Sequence, residues 1–130
     1  SWYTELLTGP RVRRKFRLTQ TNDLKRVRRT GKSYAHPLAV ITVAKGLEET
    51  PRIGIVATRA LGNAVRRHRV KRQFRAIFAS LLPTFERPVD LVVFARVPSA
   101  SATFQEMTSA VQELLGKAGL VGRNYHGTGR

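Results

Sequence analysis

The chain has 130 residues, of which 42% are hydrophobic, so it has the length of one compact domain and enough apolar residues for a core. It has no cysteine, which excludes disulfides and thiolate metal sites, and no apolar run approaches the ~18 residues of a membrane span. Twenty-four lysines and arginines face eight acidic residues, and the formal net charge of +16 indicates a polyanionic partner. Residues 1–10 have no basic stretch leading into an apolar core, so we expect no secretory signal and a cytoplasmic location.

The cations are concentrated in two stretches, 11–32 with ten cations and one acid, and 50–85 with eight cations and no acid. In the first stretch, residues 21–23 (Thr-Asn-Asp) predict the N-terminal cap of a short basic helix, which Gly31 ends. Strands are predicted over 38–44 and 52–58 because both segments are rich in β-branched residues.

A helix over 62–82, which Pro83 closes, and an apolar strand over 89–95 complete a β-α-β unit with the preceding strand. The last helix, over 103–117, opens with a capping box of Thr103 and Glu106. Its predicted core stripe has helical spacing and consists of Phe104, Met107, Val111, Leu114 and Leu115.

The order of these elements predicts a single α+β domain, a small sheet with helices packed mainly on one face. We expect the domain to span 16–117, between a basic, mobile N-terminal extension at 1–15 and a flexible tail at 118–130. The tail is predicted to be flexible because four of its residues are glycines and it shows no periodicity.

The helix at 62–82 carries two different faces. At about 100° per residue, an apolar seam forms from Val70, Phe74, Ile77, Phe78 and Leu81. The opposite face carries His68, Lys71, Arg72 and Arg75, with Arg69 at its margin and with Arg66 and Arg67 flanking the seam. Six of the ten residues 66–75 are cations, five of them arginine, and no glutamate lies among them.

This arrangement favours a phosphate ligand. Like charges four residues apart weaken a helix by a few tenths of a kcal/mol per pair, so a merely solvated face, which is the alternative, would be expected to mix signs. Arginine favours planar, bidentate contacts to phosphate over simple charge attraction. The helix has few of the side chains that read bases in a DNA major groove, which favours the backbone of a folded RNA.

The sequence offers no catalytic constellation. A two-metal nuclease needs clustered carboxylates, and the eight acids include only one close pair, Glu48 and Glu49, in a turn. His36, His68 and His126 have no partner at metal or triad spacing. We therefore expect neither catalytic nor metal-binding residues in this chain and an electrostatic role in any RNA chemistry.

The basic helix also resembles a known signature. Gly62-Asn63-Ala64-Val65, followed by Arg67-His68-Arg69-Val70-Lys71-Arg72 and Arg75, is similar to the signature of the bacterial ribonuclease P protein family. Further similarity lies in Arg17-Leu18, in Arg52-Ile53-Gly54-Ile55 and in the valine-rich strand that ends at Arg96. The resemblance covers about residues 16–117, in order and at the family's spacings.

The resemblance implies a two-layer, ribosomal-protein-like sandwich of order αβββαβα, with a left-handed crossover at the basic helix, against the usual rule. Residues 33–44 would supply two strands or one bent strand. The chain would be the RNA-binding subunit of ribonuclease P, an endoribonuclease whose catalytic centre lies in its RNA. It would bind the 5′ leader of precursor tRNA, help the RNA to remove it and lower the Mg²⁺ requirement, with Mg²⁺ held mainly by the RNA subunit and the substrate. One protein per RNA and no membrane are expected.

Two RNA-binding surfaces are implied by the same resemblance. The surface for the RNA subunit would consist of Asn63, Arg66, Arg67, His68, Arg69, Lys71, Arg72 and Arg75. The leader-binding surface, between the sheet and the first helix, would consist of Phe16, Arg17, Leu24, Arg28, Tyr34, Thr42 and Arg59.

Three departures from the family pattern affect these surfaces. His68 stands where the family has asparagine, and residues 59–60 (Arg-Ala) replace a lysine pair. Leu24, Arg28 and Thr42 occupy leader positions that often hold aromatic residues.

Stacking on an aromatic ring is worth ~1–3 kcal/mol per base. In this chain it would have to come from Phe16 or Tyr34, or be replaced by stacking and charge from Arg28. A structural RNA-binding protein of the ribosomal type, with no substrate of its own, fits the composition and the arginine-rich helix equally well.

Overall fold

The structure is a computed structural model that describes residues 17–121, and it follows the predicted order of elements. Its helices are α1 (Thr21–Thr30), α2 (Ala64–Leu81) and α3 (Phe104–Lys117). Its strands are β1 (Lys32–His36), β2 (Ala39–Lys45), β3 (Arg52–Val56) and β4 (Val89–Ala95). Short 3-10 turns lie at Arg59–Leu61, Leu82–Thr84 and Val97–Ser101. The predicted α+β class and the order αβββαβα are confirmed.

The four strands form one mixed sheet in the order β1-β2-β4-β3. β1 and β2 make an antiparallel hairpin, so residues 33–44 contribute to two strands rather than one bent strand. β4 runs antiparallel to β2, with Val93 opposite Ile41, and parallel to β3, with Leu91 opposite Ile53. Parallel neighbours need a crossover connection, which α2 supplies. The hand of this crossover stays a prediction.

One face of the sheet packs against α2 and α3 and forms the main core. All five residues of the predicted seam on α2 are buried, as are Met107, Val111, Leu114 and Leu115 on α3. Phe104 is an exception, since 48% of it is exposed. The helical period holds at Phe104, but this residue opens the helix, and the buried part of α3 begins one turn later.

α1 covers the opposite face of the sheet. A second, smaller buried cluster forms there from Leu18, Val27, Ala44 and Val92. The helix begins after Gln20, which makes no side-chain cap hydrogen bond. The predicted cap at 21–23 is therefore wrong, because these residues form the first helical turn. Gly31 follows the last helical residue, as predicted.

The core continues past the predicted boundary at Lys117. Gly119 has a φ of +70°, a conformation that favours glycine, and the chain continues into the core at Leu120 and Val121, both of which are buried. The backbone N–H of Glu86 donates to the carbonyl of Leu120 at 2.9 Å. Residues 118–121, predicted as the start of the flexible tail, thus belong to the domain. The remainder of the tail and the extension at 1–15 lie outside the described residues.

Candidate nucleic-acid interface

The turn before α2 sets the start of the basic helix. Gly62 has a φ of +127°, in the region that L side chains rarely adopt. The Oδ1 atom of Asn63 caps the helix, because it accepts a hydrogen bond from the backbone N–H of Arg66 at 2.9 Å. Arg67 donates from Nη1 to the carbonyl of Gly62 at 3.0 Å. Asn63 and Arg67, both predicted to bind RNA, therefore also build this turn.

The basic face of α2 is exposed over its first turns. Arg66, His68 and Arg72 are exposed, and none of the salt bridges found in residues 17–121 involves them. Arg69 is exposed as well, but it donates from Nη2 to the carbonyl of Ala100 at 2.7 Å and so connects α2 to the turn before α3. The N-terminal half of α2 thus presents positive charge to solvent without nearby carboxylates to neutralise it.

Lys71 and Arg75 are half-buried and face the edge strand β3. Together with Arg17 they place three cations around a cavity of about 230 Å³. The cavity is completed by Leu18, Thr19, Leu24, Ile53, Gly54 and Ile55. Two residues of the predicted leader surface, Arg17 and Leu24, therefore adjoin two residues of the predicted RNA-subunit surface.

The segment before α1 reaches this cavity by running along β3. Arg17 forms a parallel bridge with Ile53, and the N–H of Leu18 donates to the carbonyl of Ile53 at 2.7 Å. Gly54 permits this approach, since a Cβ atom there would lie 2.5 Å from the carbonyl oxygen of Leu18. The edge of the sheet is thereby covered, and the charge of Arg17 is brought close to α2.

Arg28, predicted for the leader surface, extends its side chain from α1 over the sheet. Its guanidinium carbon is 5.8 Å from the centroid of the Phe94 ring. Thr42 lies on the same sheet face but is nearly buried, and its hydroxyl is 2.9 Å from the hydroxyl of Ser33. Thr42 thus lines the floor of this cleft, with part of its hydrogen-bonding capacity already used.

The other predicted leader residues do not join this group. Tyr34 pairs with Ile41 and packs against the main core, with the ammonium group of Lys32 5.8 Å from its ring. It lies on the opposite face from Thr42, because successive residues of a strand alternate between faces. The structure therefore does not bring Tyr34 together with Thr42 and Arg28, and its role in leader binding stays a prediction. Arg59 is exposed in the turn before α2, and Phe16 lies outside the described residues.

A buried ion-pair network under α1 was missed by the sequence analysis. Asp90 is fully buried in the otherwise apolar strand β4. Arg52 donates to both of its carboxylate oxygens, from Nε at 3.1 Å and from Nη2 at 2.9 Å, and Arg26 of α1 donates to the same carboxylate. The Oδ1 atom of Asp23 lies 3.6 Å from Nη2 of Arg26, and its Oδ2 atom lies 3.8 Å from Nη1 of Arg52. The sequence feature that could have indicated this network is the single acidic residue in an otherwise apolar strand.

This network removes two cations from those available to a ligand. The hydrogen bond with Asp90 raises the pKa of Arg52 above its ordinary value, and this effect outweighs the opposite effect of burial. Arg52 is therefore held in its charged form, and Arg26 is engaged by the same buried carboxylate. The cations available to a ligand are therefore the arginines and lysines outside this network.

The fold and these surfaces define a class, the small basic α+β proteins with an exposed arginine-rich helix. Residues 17–121 contain no group of three or more histidine, aspartate or glutamate side chains that could hold a metal ion. No helix in that range is long and apolar enough to cross a membrane. A family model described as "Ribonuclease P" matches residues 12–119. The chain belongs to the ribonuclease P protein family.

Relatives in sequence support this membership. A "Ribonuclease P protein component" from Clostridium novyi (strain NT) is 36% identical over 106 residues, which cover 80% of this chain and 94% of that protein. Another of the same name, from Symbiobacterium thermophilum, is 35% identical over 113 residues, which cover 86% of this chain and 98% of that protein. These matches span nearly the whole length of both relatives.

Solved structures of this family have the same fold. The Staphylococcus aureus RNase P protein superposes with a TM-score of 0.77 at 26% identity, covering 82% of this chain and 98% of that one. The RNase P protein from Thermotoga maritima gives a TM-score of 0.71 at 28% identity, covering 78% of this chain and 96% of that one. The four-stranded mixed sheet and three helices are thus a shared architecture.

Proposed function

We propose that this chain is the protein subunit of ribonuclease P and that it helps a catalytic RNA to remove the 5′ leader from precursor tRNA. The observation that carries the proposal is the exposed face of α2, where Arg66, His68 and Arg72 make no salt bridge within the described residues. Such a row suits phosphate oxygens, which accept paired hydrogen bonds from guanidinium groups. Membership of the ribonuclease P protein family supports the RNA subunit as the partner on this face.

The 5′ leader would lie in the cleft between α1 and the sheet. Arg28 lies over this cleft, and Arg17 lies at the cavity where the cleft surface meets α2. A single strand in such a position is held by charge and by stacking, both of which depend little on base identity. We therefore expect the protein to prefer precursor over mature tRNA with little preference for the sequence of the leader.

The hydrolysis itself is assigned to the RNA. Mg²⁺ ions held mainly by the RNA subunit and the substrate would activate the water and stabilise the leaving oxygen. The protein, with its formal charge of +16, would reduce the repulsion between two RNAs and so lower the Mg²⁺ concentration that cleavage needs. We expect one protein per RNA and a cytoplasmic location.

Reconstitution tests the proposal. The purified chain is mixed with a ribonuclease P RNA and precursor tRNA, and leader removal is followed as Mg²⁺ is lowered. We expect cleavage at Mg²⁺ concentrations at which the RNA alone is inactive, together with tighter binding of precursor than of mature tRNA. RNA binding without either gain would contradict the proposal and indicate a structural RNA-binding protein instead. The matched control is the variant with Arg66→Ala and Arg72→Ala, which should give a weaker gain at the same protein concentration.

A further inference from the structure

Phe94 stands apart from the other aromatic residues within 17–121. Phe74 and Phe78 are fully buried in the main core, where Phe85 and Tyr34 also pack. Phe104 is exposed at the start of α3. Phe94 is half-buried near the end of the interior strand β4, on the face that α1 covers only in part, and is not among the side chains that pack against either core cluster. Its ring therefore serves neither core.

The surroundings of Phe94 form a shallow site rather than a packed one. Its strand neighbours are Val40 on β2 and Val56 on β3, both half-buried and both smaller than a phenyl ring. Arg28 lies above the ring at 5.8 Å, near the ~6 Å limit for a cation–π contact. The flat ring of Phe94 and the exposed guanidinium group of Arg28 thus face each other across the cleft.

Arg28 differs from its neighbour on α1, Arg26. Arg26 is held by the buried carboxylate of Asp90. Arg28 is exposed, and within residues 17–121 its side chain makes no hydrogen bond or ion pair, only the contact with the ring. Its charge is therefore available to a phosphate at the position where the ring is available to a base.

We propose that Phe94 and Arg28 form a nucleobase subsite, in which one unpaired base of the leader stacks on the Phe94 ring and Arg28 binds the phosphate of that nucleotide. This inference rests on the proposed function, since it assigns the residues that hold the leader. It resolves the shortage of aromatics at Leu24, Arg28 and Thr42, because the stacking surface comes from β4 instead. Every base has a π face, so the subsite requires a base at one leader position without requiring a particular base.

The experiment compares wild type with Phe94→Leu in the enzyme reconstituted with a ribonuclease P RNA. Leucine keeps most of the apolar volume and removes the π face. Affinities are measured for mature tRNA, for precursor tRNA, and for precursors with a single abasic nucleotide at each leader position in turn. Loss of one stacked base corresponds to a factor of about 5–150 in affinity. We expect Phe94→Leu to weaken precursor binding by about fivefold or more and to leave mature tRNA binding unchanged.

The abasic series identifies the base. For the wild type, one leader position should lose affinity by a similar factor when it is made abasic, and at that position Phe94→Leu should cause no further loss. Phe94→Trp, which retains a π face, should bind precursor at least as tightly as wild type. The matched control is Phe104→Leu, which alters an exposed phenylalanine at the start of α3 and should change neither affinity.

Several outcomes would overturn the subsite. They are unchanged precursor affinity in Phe94→Leu, an equal loss for precursor and mature tRNA, additive losses at every abasic position, or a Phe94→Trp variant as weak as Phe94→Leu. Failure of the proposed function looks different, because wild type itself would then neither support cleavage nor distinguish precursor from mature tRNA. Circular dichroism of each variant confirms that folded proteins are being compared.

Discussion

Arg52 donates two hydrogen bonds to the buried carboxylate of Asp90, from Nε at 3.1 Å and from Nη2 at 2.9 Å. The pair joins β3 to β4, and Arg26 brings α1 to the same carboxylate. Arg28 lies on α1 only two residues beyond Arg26. The ion pair between Arg26 and Asp90 therefore also holds Arg28 in its position over the sheet. The buried ion-pair network therefore helps to position the exposed cleft.

Asp90→Asn should destabilise the fold by about 3–5 kcal/mol, because it leaves two part-buried guanidinium groups without their buried counter-charge. The remaining acid, Asp23, is more distant from both, at 3.6 and 3.8 Å. The measurement is the free energy of unfolding in urea. Glu113→Gln is the control, since Glu113 pairs with Lys117 at 3.2 Å on the exposed side of α3 and should cost about 0–0.5 kcal/mol. Equal losses in the two variants would contradict a structural role for Asp90.

The pH dependence of this effect has a definite sign. The hydrogen bond with Asp90 raises the pKa of Arg52, so the stabilisation from this group is complete below its ordinary pKa and is lost only as the pH rises through the higher folded value. From Arg52 we therefore expect the same difference between wild type and Asp90→Asn at about pH 6 and about pH 9. A difference that shrinks across this range would indicate that another group carries the effect.

The parts of the fold that sequence analysis predicted well depend on local periodicity. The seam on α2 has a helical period and is interrupted by no proline or glycine, so the burial of Val70 and Phe74 could be read directly from spacing. The same reasoning failed at Phe104, because a period indicates which face is apolar but not how far along the helix the packing extends.

The parts of the site that the sequence did not predict depend on contacts between distant residues. Asp90 and Arg26 are 64 residues apart, and no local pattern pairs them. Tyr34 and Thr42 were placed together although their positions in the hairpin fall on opposite faces, which only the register determines. Phe94 lies in a segment predicted only as an apolar strand, and alternation within such a strand does not reveal which of its residues a helix leaves partly uncovered.

Phe74→Ala should lower stability by about 3–5 kcal/mol, the typical cost of truncating a buried aromatic residue. Phe74 is fully buried in the main core, on the side of α2 away from the basic face. The loss is comparable with the whole stability of a small domain, so thermal unfolding should shift strongly or the variant should not fold. A variant of normal stability that only binds RNA more weakly would show that this face of α2 is exposed.

Two double variants of α2 should separate RNA binding from folding. Arg66→Ala with Arg72→Ala removes two exposed cations, so the free energy of unfolding should change by less than about 0.5 kcal/mol. Arg67→Ala with Arg69→Ala also removes the hydrogen bonds to the carbonyls of Gly62 and Ala100, so it should cost about 1 kcal/mol per bond.

The readout for both double variants is the slope of RNA affinity against salt concentration on logarithmic axes. Each phosphate contact contributes about 0.7–0.9 to this slope, so the loss of Arg66 and Arg72 should reduce it by about 1.4–1.8. A slope that does not change would mean that these two side chains touch no phosphate. A stable Arg67→Ala, Arg69→Ala variant would mean that the two carbonyl contacts do not contribute to the fold.

Arg28→Ala should weaken the binding of precursor tRNA by the reconstituted enzyme and leave the binding of mature tRNA unchanged. Arg28 lies over Phe94 at 5.8 Å, in the cleft proposed for the leader, and it holds no part of the fold through a hydrogen bond or ion pair within residues 17–121. Loss of one charged contact to phosphate is worth roughly 1.5–3 kcal/mol, or a factor of about 10–150 in affinity. Assembly with the RNA subunit should not change, because α2 is not altered.

Arg29→Ala is the matched control for this prediction. Arg29 is also exposed on α1 and carries the same charge, but it is rotated by about 100° around the helix axis from Arg28. Both variants lower the net charge by one, so a general effect of the positive field would weaken precursor binding equally in the two. We expect a loss only in Arg28→Ala, measured as the ratio of precursor to mature tRNA affinities at one fixed salt concentration. Equal losses would assign Arg28 to the general field and remove it from the leader cleft.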